Sequence, residues 1–232
     1  MSTALRSKSP IAPKNKPKAK LKAEPQPRPR RPKTTPKFEF EPLVIHFGPL
    51  KDKITDDEFF KFCMRNRDLR IEMSKEGEMI IMMGAGGEGG NRNFKLTARL
   101  GSWVEADGTG EGFDSSTEFS LPNGAKRSPD FSRIRRERWE ALSAKQREEF
   151  PPICPDFVVE LRSRTDRLPP LKKKMEEYIA NGAQLGWLID PLKKKVHIYR
   201  PNAEVEILDK PKSLSGEPLL KRLKLNLSGI LD

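Results

Sequence analysis

Past a proline- and lysine-rich start, the hydrophobic positions keep first a helical and then a strand rhythm. Thr55-Asp56-Asp57-Glu58 is a capping-box signature followed by Phe59, Phe60, Phe62 and Cys63, which predicts a short helix. Leu69 to Met73 and Met79 to Met83 read as two strands joined by a turn at Glu76-Gly77, a hairpin. The glycine-rich stretch from Gly84 to Gly90 leads to Asn91, which is suited to cap a helix with Phe94, Leu96, Leu100 and Val104 on its apolar face. Phe113 to Leu121 alternates as a strand, Pro122-Asn123-Gly124 is a turn, and Ser128 to Ile134 is another strand. Residues 135–149, with Trp139, Leu142 and a cap at Ser143, form a polar helical insertion that ends at Phe150-Pro151-Pro152. Phe157-Val158-Val159-Glu160-Leu161 is an apolar run typical of an interior strand. Leu171 to Asn181 is a helix closed by Gly182, and Leu185 to Asp190 and Val196 to Arg200 are strands around a Pro191-Leu192 turn. Strand, helix, strand is the signature of an α/β sheet.

Charge divides the chain at about Phe38. Residues 1–37 hold twelve Lys or Arg against the single acid Glu24, so all but +1 of the formal net charge of +12 lies in this arm. Its eight prolines and its lysine alternation bury too little apolar surface to offset ordering entropy, and a disordered basic tail is expected. Such a tail serves either as a non-specific nucleic-acid arm, weakened steeply by salt, or as a solubilising linker. Residues 38–232 are nearly neutral and long enough for one domain with one core of ordinary size. Bulk charge therefore says nothing about what that domain does.

Other chemistries are poorly served. Cys63 and Cys154 are too few and too isolated for a disulfide framework or a zinc knuckle, which points to a reducing compartment. His46 and His197 lack metal-ligand spacing and read as structural. The glycines of 84–90 match neither a Walker loop nor a dinucleotide fingerprint. No apolar run approaches the ~18 residues of a membrane span, nor does the start resemble a secretory signal. A soluble, cytoplasmic protein is expected.

The candidate chemistry lies in Asp130, Glu160 and Lys174, in that order along the chain. Two carboxylates sharing a divalent cation, with a cationic side chain beside them to orient or deprotonate water, are the minimal apparatus for cutting a phosphodiester. A carboxylate amid Phe157, Val158, Val159 and Leu161 costs several kcal/mol unless paired or metal-bound, roughly as for any buried charge. Strand alternation sets Asp156, Val158, Glu160 and Arg162 on one face and Phe157, Val159, Leu161 and Ser163 on the other. A Glu160–Arg162 ion pair at the strand end is thus the structural alternative to a metal site. Lys174 follows Leu171 by three and precedes Tyr178 by four, one helical face, whereas Lys172 and Lys173 point elsewhere; an ordinary solvated charge run is the alternative there.

These residues sit in longer matching blocks. They are Gly86-Gly87-Glu88 with Asn91-Arg92-Asn93, Phe113-Asp114-Ser115-Ser116-Thr117, Leu121-Pro122-Asn123-Gly124-Ala125 and Arg127-Ser128-Pro129-Asp130. Further on come Phe150-Pro151-Pro152-Ile153-Cys154-Pro155-Asp156-Phe157, Glu160-Leu161-Arg162-Ser163, Lys174-Met175 before Tyr178, and the run from Asn181 to Pro191. Over roughly residues 68–200 the chain resembles the Uma-type putative restriction endonucleases of the PD-(D/E)XK nuclease superfamily. The resemblance implies a restriction-endonuclease-like mixed central β-sheet flanked by helices, and a metal-dependent endonuclease acting on DNA. It makes Asp130, Glu160 and the Leu161 carbonyl ligands of Mg²⁺ or Mn²⁺. The superfamily's lysine normally lies two residues after the glutamate, where this chain has Arg162, which holds its proton too tightly to act as a base. The resemblance moves that lysine to the following helix, at Lys174. Glu88 loosely matches the accessory acid, with Glu72 as its rival and Arg162 as a further accessory group. A homodimer would suit double-strand cleavage. The competing reading is a DNA-binding or interaction protein that keeps the nuclease fold with a drifted site.

Overall fold

The computed structural model of the chain describes residues 42–48 and 54–232. The expected basic tail, residues 1–37, lies outside them. Strand β1 (Leu43–His46) precedes helix α1 (Asp56–Arg65), which opens at Thr55 with both arms of its capping box formed. Helix α1 buries Phe59 against Ile71, Met73 and Met79 of the hairpin β2 (Arg70–Met73) and β3 (Glu78–Met82). Helix α2 (Gly87–Asp107) starts four residues before the expected cap at Asn91, with Gly86 as its N-cap. The glycines open this helix rather than delay it: Glu88 in the first turn favours the N-terminal dipole and pairs with Arg92 one turn on, at 3.1 Å. Leu96, Leu100 and Val104 are buried as the spacing predicts, while Phe94 faces out, 71% exposed.

The strand expected over 113–121 is two strands in different sheets, β4 (Gly110–Asp114) and β5 (Phe119–Ser120). The Asp114 carboxylate accepts the Ser116 N–H at 3.0 Å and its hydroxyl at 2.6 Å, and this Asx turn diverts the chain despite the alternating pattern. The strand expected over 128–134 starts later, as β7 (Phe131–Arg135), and a separate short strand, β6 (Lys126–Arg127), precedes it in the other sheet. Between them lies Ser128-Pro129-Asp130, where proline has no N–H to give to a ladder. The polar insertion follows as α3 (Arg136–Glu140) and α4 (Ala144–Glu148), the second opened by a Ser143–Gln146 capping box.

Strand β8 (Phe157–Leu161) is buried at every position, as is β9 (Leu185–Asp190). They are parallel and joined by helix α5 (Leu168–Ala180), the expected crossover unit. Helix α5 begins three residues earlier than Leu171, because Pro169 and Pro170 occupy its first turn, where an N–H has no intrahelical partner anyway. Strands β10 (Lys195–Tyr199) and β11 (Glu206–Asp209) extend the sheet, and the hairpin β12 (Ser213–Ser215) and β13 (Lys224–Asn226) follows.

Among the described residues, the strands form a six-stranded sheet in the order β11-β10-β9-β8-β7-β4, a five-stranded sheet β1-β3-β2-β6-β5, and the terminal hairpin. One face of the larger sheet sets Phe157, Val159, Trp187 and Ile189 against α2 and against Leu225, Leu227 and Ile230 of the C-terminal segment. The other sets Val158 and Leu188 against Met175 and Tyr178 of α5. This split of odd and even residues along β8 is the predicted alternation, and it leaves Glu160 on the α5 face. The fold is the mixed α/β architecture, with sheets flanked by helices, that the sequence implies.

Helix α2 turns into β4 at a place with no room for a side chain. A Cβ on Gly110 would overlap the Ile134 carbonyl oxygen and lie 2.7 Å from the Arg133 guanidinium carbon. On Gly112 it would meet Val104 at 3.4 Å, an ordinary contact. Gly110→Ala is expected to lower stability by about 1–3 kcal/mol in denaturant unfolding, with Gly112→Ala close to wild type. Equal midpoints for the two variants would show that the β4–β7 ladder yields more easily than its geometry allows.

Candidate active site

The centre of the site is a defect in a strand pairing. Strands β7 and β8 pair with Phe131 opposite Val159, so the register continued by two residues would set Pro129 opposite Leu161. Proline cannot donate to the Leu161 carbonyl. The Leu161 N–H, which the ladder would also have used, donates instead to Oδ2 of Asp130 at 2.8 Å. Asp130 is thereby pinned beside the end of β8, with the Leu161 carbonyl on the same side.

Glu160 precedes Leu161 and points to the α5 face, 5% exposed. Its Oε1 accepts the Tyr178 hydroxyl at 3.0 Å and lies 2.8 Å from Nζ of Lys174. Both partners come from α5, four residues apart, as their spacing predicts. The same ammonium lies 2.8 Å from Oε1 of Glu72, which is carried by β2 of the other sheet. Glu72 is itself held by the Ser128 N–H at 2.9 Å and by Nη1 of Arg127 at 3.3 Å. Arg127 then reaches Glu177 at 2.6 Å, one residue before Tyr178 on α5. Glu72, Lys174, Glu160, Arg127 and Glu177 form one continuous network joining the two sheets through a single helix.

The electrostatics follow from burial and from the sharing of one ammonium. Burial pushes the Glu160 carboxyl up to about 7; Lys174 opposes this, while Asp130 and Glu72 add to it. Burial also raises Asp130, against the Leu161 N–H and Lys174, which favour its charged form. At Glu72 burial acts upward too, but Lys174 and Arg127 outweigh it and hold the carboxyl below its ordinary value. Burial acts downward on Lys174, yet Glu160 and Glu72 keep it above the usual lysine range, so it remains an ammonium. Glu160 and Asp130 are left as the two groups whose negative charge is not fully offset.

Of the residues singled out in the sequence, Asp130, Glu160, Leu161 and Lys174 converge. Lys173 is exposed, and Lys172 lies toward His197. Glu88 does not join them: its side chain is 81% exposed and is paired with Arg92. Its rival Glu72 occupies the interior position. Arg162 does not pair with Glu160 either. Its Nη1 donates to Oδ2 of Asp190 at 2.8 Å and its Nε to the Asp166 carbonyl at 3.1 Å, because the parallel register brings Arg162 beside the end of β9. Arg127 and Tyr178 stand in the matching blocks with no chemical role attached to them there, and Glu177 carries no sequence signal of a site. Among the described residues, no group of three or more His, Cys, Asp and Glu side chains is arranged to hold a metal. The available donors are two carboxylates and a backbone carbonyl, all oxygen, a set suited to hard cations.

The family model described as Uma2, putative restriction endonuclease, matches residues 56–228. Among solved structures, the fold is similar to a putative nuclease belonging to DUF820 from Anabaena variabilis ATCC 29413. That protein is 24% identical, with a TM-score of 0.61 over 77% of this chain and 97% of its own. No curated protein matches the chain.

A second buried acid flanks the network without joining it. Glu118 is 7% exposed and its Oε1 has no hydrogen-bond partner among the described residues. Burial, and then the Glu72 charge, push its carboxyl well above the ordinary 4.5. Below that ordinary value folded and unfolded chains are both protonated; as pH rises, the unfolded chain ionises first and stability falls. Glu118→Gln removes this loss. The variant is expected to melt near wild type at about pH 4 and above it at about pH 8, where only the unfolded wild type gains from ionisation. A difference that is constant with pH would mean that Glu118 is ionised in the folded protein.

Proposed function

Because the chain belongs to the Uma2 family of putative restriction endonucleases, we propose that it is a metal-dependent endonuclease hydrolysing phosphodiester bonds in DNA. The observation that carries this reading is the meeting of Asp130, Glu160 and Lys174 at the end of β8, from three separated stretches of chain. Mg²⁺ or Mn²⁺ would be held by the Asp130 and Glu160 carboxylates and the Leu161 carbonyl, supplying charge neutralisation and an acidified water. The donor set and the two incompletely offset carboxylates fit such an ion.

The protein's own groups have distinct tasks in this reading. Tyr178 donates to Glu160 and fixes its carboxylate. Lys174 stays protonated, so it acts by orienting the attacking water and by stabilising the negative charge that grows on the phosphate, not by taking a proton in the resting state. Glu72 holds that ammonium from behind, and Arg127 holds Glu72. Arg162, engaged with Asp190, closes the sheet end rather than serving as the superfamily's catalytic cation.

Residues 38–232 are the catalytic domain in this proposal, and the basic arm 1–37 adds phosphate contacts that salt weakens. A homodimer would present one such centre to each strand of a duplex. The site of action is cytoplasmic DNA.

Asp130→Asn and Glu160→Gln are each expected to abolish Mg²⁺-dependent nicking of supercoiled DNA and the rise in melting temperature that Mg²⁺ or Mn²⁺ produces. Lys174→Met should lower the rate by roughly 10²–10⁴-fold, whereas Lys173→Met should cost little. Wild-type melts that coincide with and without either metal would remove the metal from the proposal.

Protonation gives a separate check. Glu160 must be ionised to bind a cation, and its metal-free carboxyl is pushed up to about 7. The metal-induced melting shift should therefore grow as pH rises toward about 7 and level off above it. A shift already complete at about pH 5 would place Glu160 outside the ligand set.

A further inference from the structure

The edge of the larger sheet that carries Asp130 and Leu161 continues sideways into a cluster of lysines. Leu161 lies beside Ile189 on β9, Asp190 pairs with Lys195 on β10, and Lys195 with Asp209 on β11. The Lys210 N–H then donates to the Lys194 carbonyl at 2.8 Å, which ties the β9–β10 turn to the loop after β11. At this corner lies a cleft of about 720 Å³ lined by Lys194, Lys210, Lys212 and Lys224, with Asn226 and one acid, Asp232. The Asp232 carboxylate accepts the Gly229 N–H at 2.7 Å and, among the described residues, makes no ion pair with the lysines.

Four exposed lysines line one cleft, and among the described residues none of them has an ion-pair partner. The backbone adds a second oddity. Lys194 and Lys210 have φ of 54° and 47°, the left-handed region where glycine or asparagine would cost less. A folded domain of nearly neutral charge thus concentrates unpaired cations at one corner, on backbone that does not favour them. An anion entering the cleft would find cations that no acid of the protein engages.

We infer that this cleft binds backbone phosphates of the nucleic-acid strand whose scissile bond lies at Asp130 and Glu160, an inference that rests on the nuclease reading above. Along the sheet, β8 to β11 is three strand spacings, or ~14 Å at ~4.8 Å each, and the cleft opens on the side of the C-terminal segment whereas Glu160 faces α5, so the strand would pass around the strand ends to reach both. Lysines are point charges without the fork geometry that reads a base, so the contact positions the strand and is indifferent to its sequence.

The test uses the full chain and a fluorescent DNA duplex in EDTA, so that binding is read without cleavage. Lys210→Glu/Lys212→Glu is expected to weaken binding at least tenfold and to reduce the slope of log affinity against log salt by about two, one for each lost phosphate contact. Lys145→Glu, on α4, is the control and should leave the slope unchanged. Lys212→Gln/Lys224→Gln, which reverses no charge, should flatten the slope by a similar amount and serves if the first variant melts lower than wild type. Wild-type affinity and slope in both double variants would overturn the inference. So would a cleft that responds to inorganic phosphate while DNA binding ignores the substitutions, since the site would then be one for small anions. A protein that binds DNA through these lysines but never cuts it would support the subsite and refute the cutting centre. One that cuts normally with the lysines replaced would keep the cutting centre and refute the subsite.

Discussion

Everything at this site depends on one ammonium shared by two buried carboxylates. Lys174 lies 2.8 Å from both Glu72 and Glu160, which belong to different sheets, and α5 supplies the only helix in the network. Removing one member of a buried ion pair generally costs ~3–5 kcal/mol, because the remaining charge is stranded. Replacing the whole group with apolar residues is often neutral or stabilising. Stability alone therefore gives little reason to keep charges here. The arrangement makes physical sense as stored electrostatics: a fixed cation and two incompletely offset acids, Asp130 and Glu160, facing the end of one strand.

The position of the cation is a consequence of the sheet. Two residues beyond Glu160, on the same strand face, stands Arg162, but β9 ends beside it and Asp190 takes its guanidinium. A lysine there would meet the same buried carboxylate. The cation must then come from the element that covers this face, α5, and on that helix Lys174 shares the inward stripe with Tyr178 while Lys173 faces out. Helical phase selects one lysine of three.

This phase was legible in the sequence, and so were the strands it serves. The apolar run 157–161, the crossover helix and the buried strand 185–190 announce themselves through period and composition, and the structure places them as expected. What local pattern could not show was where a partner from another element wins. The alternation of 113–121 looks like one strand, but the Asp114 turn splits it between two sheets. Glu88 lies near the right motif in sequence and far out in solvent in space, whereas Glu72 sits on an ordinary-looking strand and is drawn inward by Lys174, Arg127 and the Ser128 N–H. The Glu160–Arg162 pair was plausible from alternation alone, and it failed because two better partners for Glu160 come from a helix fourteen and eighteen residues downstream.

The same limitation explains why the proline before Asp130 matters more than its own chemistry. Within a regular antiparallel ladder the Leu161 N–H and carbonyl would both be consumed by β7, and a carboxylate at position 130 would have no backbone donor to hold it. Pro129 cannot complete that ladder, so the pairing stops one step short and leaves a backbone donor and a backbone acceptor at a buried strand end. Asp130 takes the donor at 2.8 Å. A break in a sheet, unremarkable as a turn signal, is thus what fixes Asp130 beside the end of β8, one residue from Glu160.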